Sequence, residues 1–185
     1  MSIFSKLRSH KSVVNSNDEI YKQIFTNISN SDEKVRAEIE KCLENIRLYS
    51  LKNSDKFEER GLDISKDSEY TLKWFGCIDI LIDNGYAAEF DYKTDFEDFY
   101  DLLGKLKMVS QRGILPSEDD IYLDYEPNGW LSCIDSRWAK AGLCVGGIDI
   151  DSDSYVIFIC TVEQLDKLSK LASESGRKIC RAREL

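Results

Sequence analysis

Apolar residues recur at helical spacing through the first third of the chain. In "NDEIYKQIFTNIS" (17–29), Ile20, Ile24, Phe25 and Ile28 make one stripe, with acids in the first turn where the helix dipole favours them. In "SDEKVRAEIEKCLENIRLYSLKN" (31–53) the stripe is Val35, Ile39, Cys42, Leu43 and Ile46, and Ser31 is the expected N-cap. The polar stretch 55–66 reads as a loop or short turn. A further helix is predicted over 68–83 on Trp74, Phe75, Ile78, Leu81 and Ile82, ended by Gly85 in a left-handed cap.

The period then changes. "YAAEFDYK" (86–93) alternates, with Ala88, Phe90 and Tyr92 on one side and Ala87, Glu89, Asp91 and Lys93 on the other, as a half-buried strand does. "TDFEDFYDLLGKL" returns to helical spacing on Phe96, Phe99, Leu103 and Leu106, and Thr94 with Glu97 suggests a capping box. The segment 110–128 is polar and reads as a loop, with a short strand expected near Tyr122. "WLSCIDSRWAKAG" is expected to be a helix closed by Gly142. "LCVGGIDI" and "YVIFICT" flank "DSDS", the pattern of a β-hairpin with a four-residue turn. Thr161 and Gln164 announce a second capping box before a helix on Leu165, Leu168 and Leu171, closed by Gly176, and "RKIC" reads as a short last strand.

These elements predict an α+β fold: a small mixed or antiparallel sheet of about four strands, helices packed mainly on one face, and a helical N-terminal third. The expected organisation is a basic tail (1–16), a helical segment (17–60) and an α+β domain (61–185), within one globular unit of 185 residues. A hydrophobic content of 42% with eight Phe, nine Tyr and three Trp supports a packed core and excludes a disordered chain. No run of eighteen apolar residues spans a membrane, and the start lacks a signal-peptide core. Peripheral membrane contact through the basic, amphipathic tail stays open.

The six cysteines lie among apolar residues and none is closer than eleven positions to the next. No close ligand pair exists, and the single histidine, His10, sits in the tail, so zinc and thiol–histidine chemistry are not expected. Free cysteines in a reducing cytoplasm are the expectation. No nucleotide-binding glycine loop and no nucleophile elbow occur. No cofactor or metal is expected.

Charge is uneven. Residues 1–11 and 177–185 hold seven of the 25 basic groups and one of the 34 acids, which leaves the body at a net −15. Such a body repels nucleic acid and attracts basic proteins or cations. Two acidic groups stand out: Glu89, Asp91, Asp95, Asp98 and Asp101, then Glu118, Asp119, Asp120, Asp124 and Glu126. Trp130, just after "PNG", is a candidate exposed anchor for a partner. Glu89 and Asp91 share a strand face about 6.6 Å apart, a spacing that suits acid–base work or cation binding. "DIDSDSY" places Asp149, Asp151 and Asp153 as an EF-hand would, but Ser154 and Cys160 stand where that loop needs glycine and an acid.

The stretches "WFGCIDILIDNGYAAEFDYKTDFEDFYDLLGKL", "WLSCIDSRWAKAGL" and "SDSYVIFICTVEQLDKLSKLASESGRKI" resemble an uncharacterised bacterial domain family. Its members pair an E-F-D-[WY]-K strand with a late hairpin and a C-terminal helix. The resemblance covers about residues 68–182 and implies no assigned reaction. Small acidic bacterial proteins of this build also resemble the immunity proteins that neutralise secreted toxins.

The leading expectation is therefore a non-enzymatic module whose acidic surface docks a basic protein, such as a toxin or nuclease. The alternative is a carboxylate-based, metal-dependent enzyme or metal binder using Glu89, Asp91 and the 149–153 acids. A third reading is a regulatory module working through the first sixty residues.

Overall fold

The structure is a computed structural model that describes residues 17–121 and 126–185. It groups into two compact units, one up to Ile80 and one from Leu81 onward.

The first unit is helical. Helix α1 covers 17–28 and is followed by α2 (Glu33–Glu44), α3 (Ile46–Lys52), α4 (Ser54–Glu59) and the larger part of α5 (Glu69–Asp83). Most of the stripes read from the sequence lie in its core: Ile24, Phe25 and Ile28 on α1, Val35, Ile39 and Cys42 on α2, and Trp74 and Ile78 on α5 are buried. Tyr21 and Cys77, which the stripes left out, join them, while Ile20 and Phe75 are half-buried. Trp74 packs against Tyr21 and Phe25, with ring centroids 5.1 and 5.2 Å away. At Gly76 a Cβ would stand 2.8 Å from the Cys42 sulfur, so α5 carries glycine where α2 passes closest.

Two details differ from the sequence reading. The N-cap of α2 is Asp32, whose carboxylate accepts from the N–H groups of Lys34 and Val35, because Ser31 is turned to a positive φ of 60°. Within the expected loop, α4 forms a six-residue helix anchored by the buried Phe57. One apolar residue in one turn leaves no period to detect.

The second unit holds β1 (Ala87–Asp91), α6 (Phe96–Lys105), α7 (Lys107–Arg112), α8 (Pro127–Trp138), β2 (Leu143–Ile148), β3 (Ser154–Thr161), α9 (Val162–Glu174) and β4 (Ile179–Arg181). The four strands form one antiparallel sheet in the order β1-β3-β2-β4. Ala88, Phe90, Leu143, Val145, Ile157 and Ile159 face a core shared with Phe99 and Leu103 of α6, Val109 of α7 and Leu131, Ile134 and Trp138 of α8. The reverse face carries Cys144, Ile148, Val156, Phe158 and Cys160, also buried, and α9 packs on β2, β3 and β4. The fold is α+β, with a helical N-terminal region as expected.

The "VGG" of β2 serves packing. A Cβ at Gly146 would stand only 2.4 Å from the edge of the Phe158 ring on the paired strand, and one at Gly147 would meet Ala182 and Leu185. The predicted capping box at Thr161 and Gln164 is present, and Gly85, Gly142 and Gly176 take left-handed φ values of 72°, 69° and 69°. The expected loop at 110–128 instead contains the end of α7 and a 3-10 turn at Glu118–Asp120, and α8 starts at Pro127. Proline supplies a helix-ready φ at a first-turn position where no N–H is needed. The strand expected near Tyr122 falls outside the described residues.

Candidate functional site

Helix α6 begins with a run of exposed acids. Asp95 is its N-cap, accepting the Asp98 N–H at 2.9 Å, so the box read at Thr94 and Glu97 is displaced by one residue. Asp95, Glu97, Asp98 and Asp101 are all exposed. Three of them are held near the positive end of the helix dipole, which stabilises them there without a cationic side chain. Asp101 pairs with exposed Lys105 at 3.5 Å.

Tyr100, on the same helix, joins this run to the second acidic group. Its hydroxyl donates to the Pro116 carbonyl at 2.7 Å, which ties α6 to the segment carrying Glu118, Asp119 and Asp120. Its phenol is held above the ordinary tyrosine range, first by burial and then by the Glu118 and Asp120 carboxylates. The second acidic group therefore acts on a side chain of the helix that carries the first. Glu118 and Asp119 are exposed, while Asp120 is engaged by Arg137 of α8. Glu126 stands exposed at the start of α8, and Asp124 lies outside the described residues.

Glu89 and Asp91 belong elsewhere. Phe90 and Ala88 point into the α6–α8 core, so the alternation sends Glu89 and Asp91 to the other face of the sheet. Asp91 closes the strand by accepting the Lys93 N–H at 2.8 Å. The strand ends there, and Tyr92, which the alternation assigned to the core side, is exposed instead.

Trp130 is a correction. It is only 5% exposed, wedged against Phe96 and Phe99 with ring centroids 5.4 and 5.2 Å away. The earlier start of α8 rolls it inward, so it is no surface anchor. Its indole N–H meets no acceptor among the described residues, whereas that of Trp138 donates to the Ile114 carbonyl at 3.1 Å. Sequence reasoning missed Tyr92 and Tyr100 as parts of the acidic surface and treated Glu97 as a cap. The placing of Tyr100 three residues after Glu97, on one face of the helix, was the available signal.

Of the hairpin acids, Asp149 is used in structure, while Asp151 and Asp153 are exposed. Asp149 and Ser152 accept backbone N–H groups inside the hairpin turn, and Asp149 pairs with Lys178 at 3.4 Å. The basic C-terminal stretch is neutralised further by Asp135, which is 3% exposed and accepts from Arg181 at 2.6 Å and from the Val145 N–H at 2.7 Å. Among the described residues no group of three or more His, Cys, Asp or Glu is arranged to hold a metal ion. Among them, too, no helix is long and apolar enough to cross a membrane. The basic tail and His10 lie outside the described residues.

The class these features define is an α+β domain whose sheet unit carries an exposed carboxylate surface. The chain belongs to the family described as a domain of unknown function, DUF6630, whose model matches residues 20–183. The match reaches further toward the N-terminus than the resemblance read over 68–182, so the first helices fall inside it. No curated protein and no solved structure matches the chain.

Proposed function

We propose that this protein is a non-enzymatic interaction module whose acidic surface docks a basic protein partner, in the manner of an immunity protein blocking a toxin or nuclease. One observation carries the reading. Asp95, Glu97, Asp98, Glu118 and Asp119 are exposed without a cationic side-chain partner among the described residues, and Tyr100 ties the two segments that bear them together. Unneutralised charge concentrated on one surface speeds encounter with an oppositely charged partner and sets its orientation. Exposed Tyr92, in the turn just before α6, supplies an aromatic contact of the kind that anchors interfaces. Action in the cytoplasm is part of the proposal, supported by six free cysteines.

The test is a pull-down from native lysate at low and moderate salt, run beside a variant with Asp98, Asp101, Glu118 and Asp119 changed to lysine. Asp95 is left intact because it caps α6. A single basic partner, weakened by salt and lost from the variant, is the expected result. A partner held equally by both proteins would sink the reading.

A further inference from the structure

The reverse face of the sheet brings two cysteines into direct opposition. Cys144 of β2 and Cys160 of β3 are register partners, and their sulfurs are 3.8 Å apart. The Val145 N–H points away from β3 to Asp135, and the Val162 N–H bonds the Gly142 carbonyl. Alternation along an antiparallel ladder then makes Cys144 and Cys160 a hydrogen-bonded pair, whose Cα atoms stand about 5.5 Å apart. That span lies within the Cα window of about 4.4–6.8 Å for a disulfide, and a small approach of the two strands brings the sulfurs from 3.8 Å to bonding distance.

The two thiols differ. The Cys144 thiol is held below its ordinary value, chiefly by the hydrogen bond from Cys160, with the Arg181 guanidinium assisting against burial. The Cys160 thiol is pushed up by its bond to Cys144 and by burial. One sulfur is thus the readier thiolate and the other keeps its proton.

Access is the remaining requirement, since Cys144 is 0% and Cys160 3% exposed. The pair sits one step from the open end of the ladder, where Leu143 and Thr161 are the last partners and residues 139–142 are exposed. Local opening of a ladder end costs less than unfolding the sheet, and here it means releasing Leu143, Thr161 and the Val162–Gly142 bond. A neutral, water-sized oxidant needs only that much.

We propose that Cys144 and Cys160 are a redox modification site, oxidised by hydrogen peroxide to a reversible disulfide that pins the open end of the β2–β3 hairpin. The Cys144 thiolate attacks one peroxide oxygen and the O–O bond breaks. A sulfenic acid forms, and the departing hydroxide takes up the proton that Cys144 released. Cys160 then attacks that sulfur. The S–S bond forms, the S–O bond breaks, and a second water leaves with the Cys160 proton. Two thiols lose two electrons and one peroxide becomes two waters.

The whole protein is treated with hydrogen peroxide under native conditions, denatured, alkylated and digested with trypsin. Fragment 141–167 contains Cys144 and Cys160 and no other cysteine. The expected result is a fragment that resists alkylation, is lighter than the dithiol by about 2 Da, and regains both thiols with dithiothreitol. Cys160→Ser is expected to lose the bridge and leave a Cys144 sulfenic acid that dimedone traps. Full alkylation of both cysteines, at peroxide levels that already oxidise the half-buried Cys133, would overturn the proposal. So would a bridge that forms only after unfolding in urea. The wild-type fragment decides the matter even if the variant does not fold.

Discussion

At the scale of single residues, Asp135 is where a small change has the largest consequence. It sits on α8, yet it satisfies an N–H of β2 and a guanidinium of β4, so three elements meet on one carboxylate. Removing it leaves the Val145 N–H unpaired and Arg181 without its counter-charge. Breaking a buried pair on one side costs about 3–5 kcal/mol, so Asp135→Ala should lower the urea midpoint far more than Asp149→Ala does. Tyr100 offers a spectroscopic reading of the acidic surface. Its folded pKa is raised, so its contribution to stability is complete below the unfolded tyrosine value and is lost as pH rises through the folded one. Its titration, taken as the tyrosinate absorbance difference from Tyr100→Phe, should move down in Glu118→Lys. An unchanged titration would mean that Glu118 does not act on the Tyr100 phenol.

Elements obey the local rules where those rules have no competitor. The Thr161–Gln164 box opens α9 as written in the sequence, and Thr161→Ala should cost about 1 kcal/mol in thermal unfolding. Where two caps compete, geometry decides: Asp95 takes the role expected of Thr94, and Asp32 that expected of Ser31. In β2, glycine is required by a neighbour across the sheet. Gly146→Ala drives a methyl into Phe158, and overpacking of this kind costs about 1–3 kcal/mol, which a drop in melting temperature will report. No rotation of the alanine avoids the ring, since the Cβ direction is set by the backbone.

For the molecule as a whole, protection should follow the sheet order. β3 lies between β1 and β2 and is buried along its middle, so the amides of Val156–Ile159 should exchange slowest in the second unit. The Glu118–Asp120 turn carries no buried side chain and should exchange far faster. Equal exchange of the two would contradict the topology. The family match over 20–183 takes in both compact units. The acidic surface belongs to the second unit alone, which makes that unit the one to vary first in binding experiments.

Much of this was legible in the amino-acid order, because helix stripes, strand alternation and left-handed glycine caps depend on residues within one or two turns of each other. The stripes of α2 and α5, the β2–β3 hairpin and the helix ends at Gly85, Gly142 and Gly176 are all of that kind. The α4 helix was not legible, since one buried Phe57 makes no period. Nor was the fate of Trp130, which depends on Phe96 and Phe99 meeting it from another helix. Which segment Tyr100 bonds, which cysteines face each other and which arginine meets Asp135 were settled only by strand order and helix packing. Residues 135 and 181 are 46 positions apart in the chain and 2.6 Å apart in the fold. A local pattern carries no information about such pairs, because the chain between them can close on itself in many ways and only the shared core selects one.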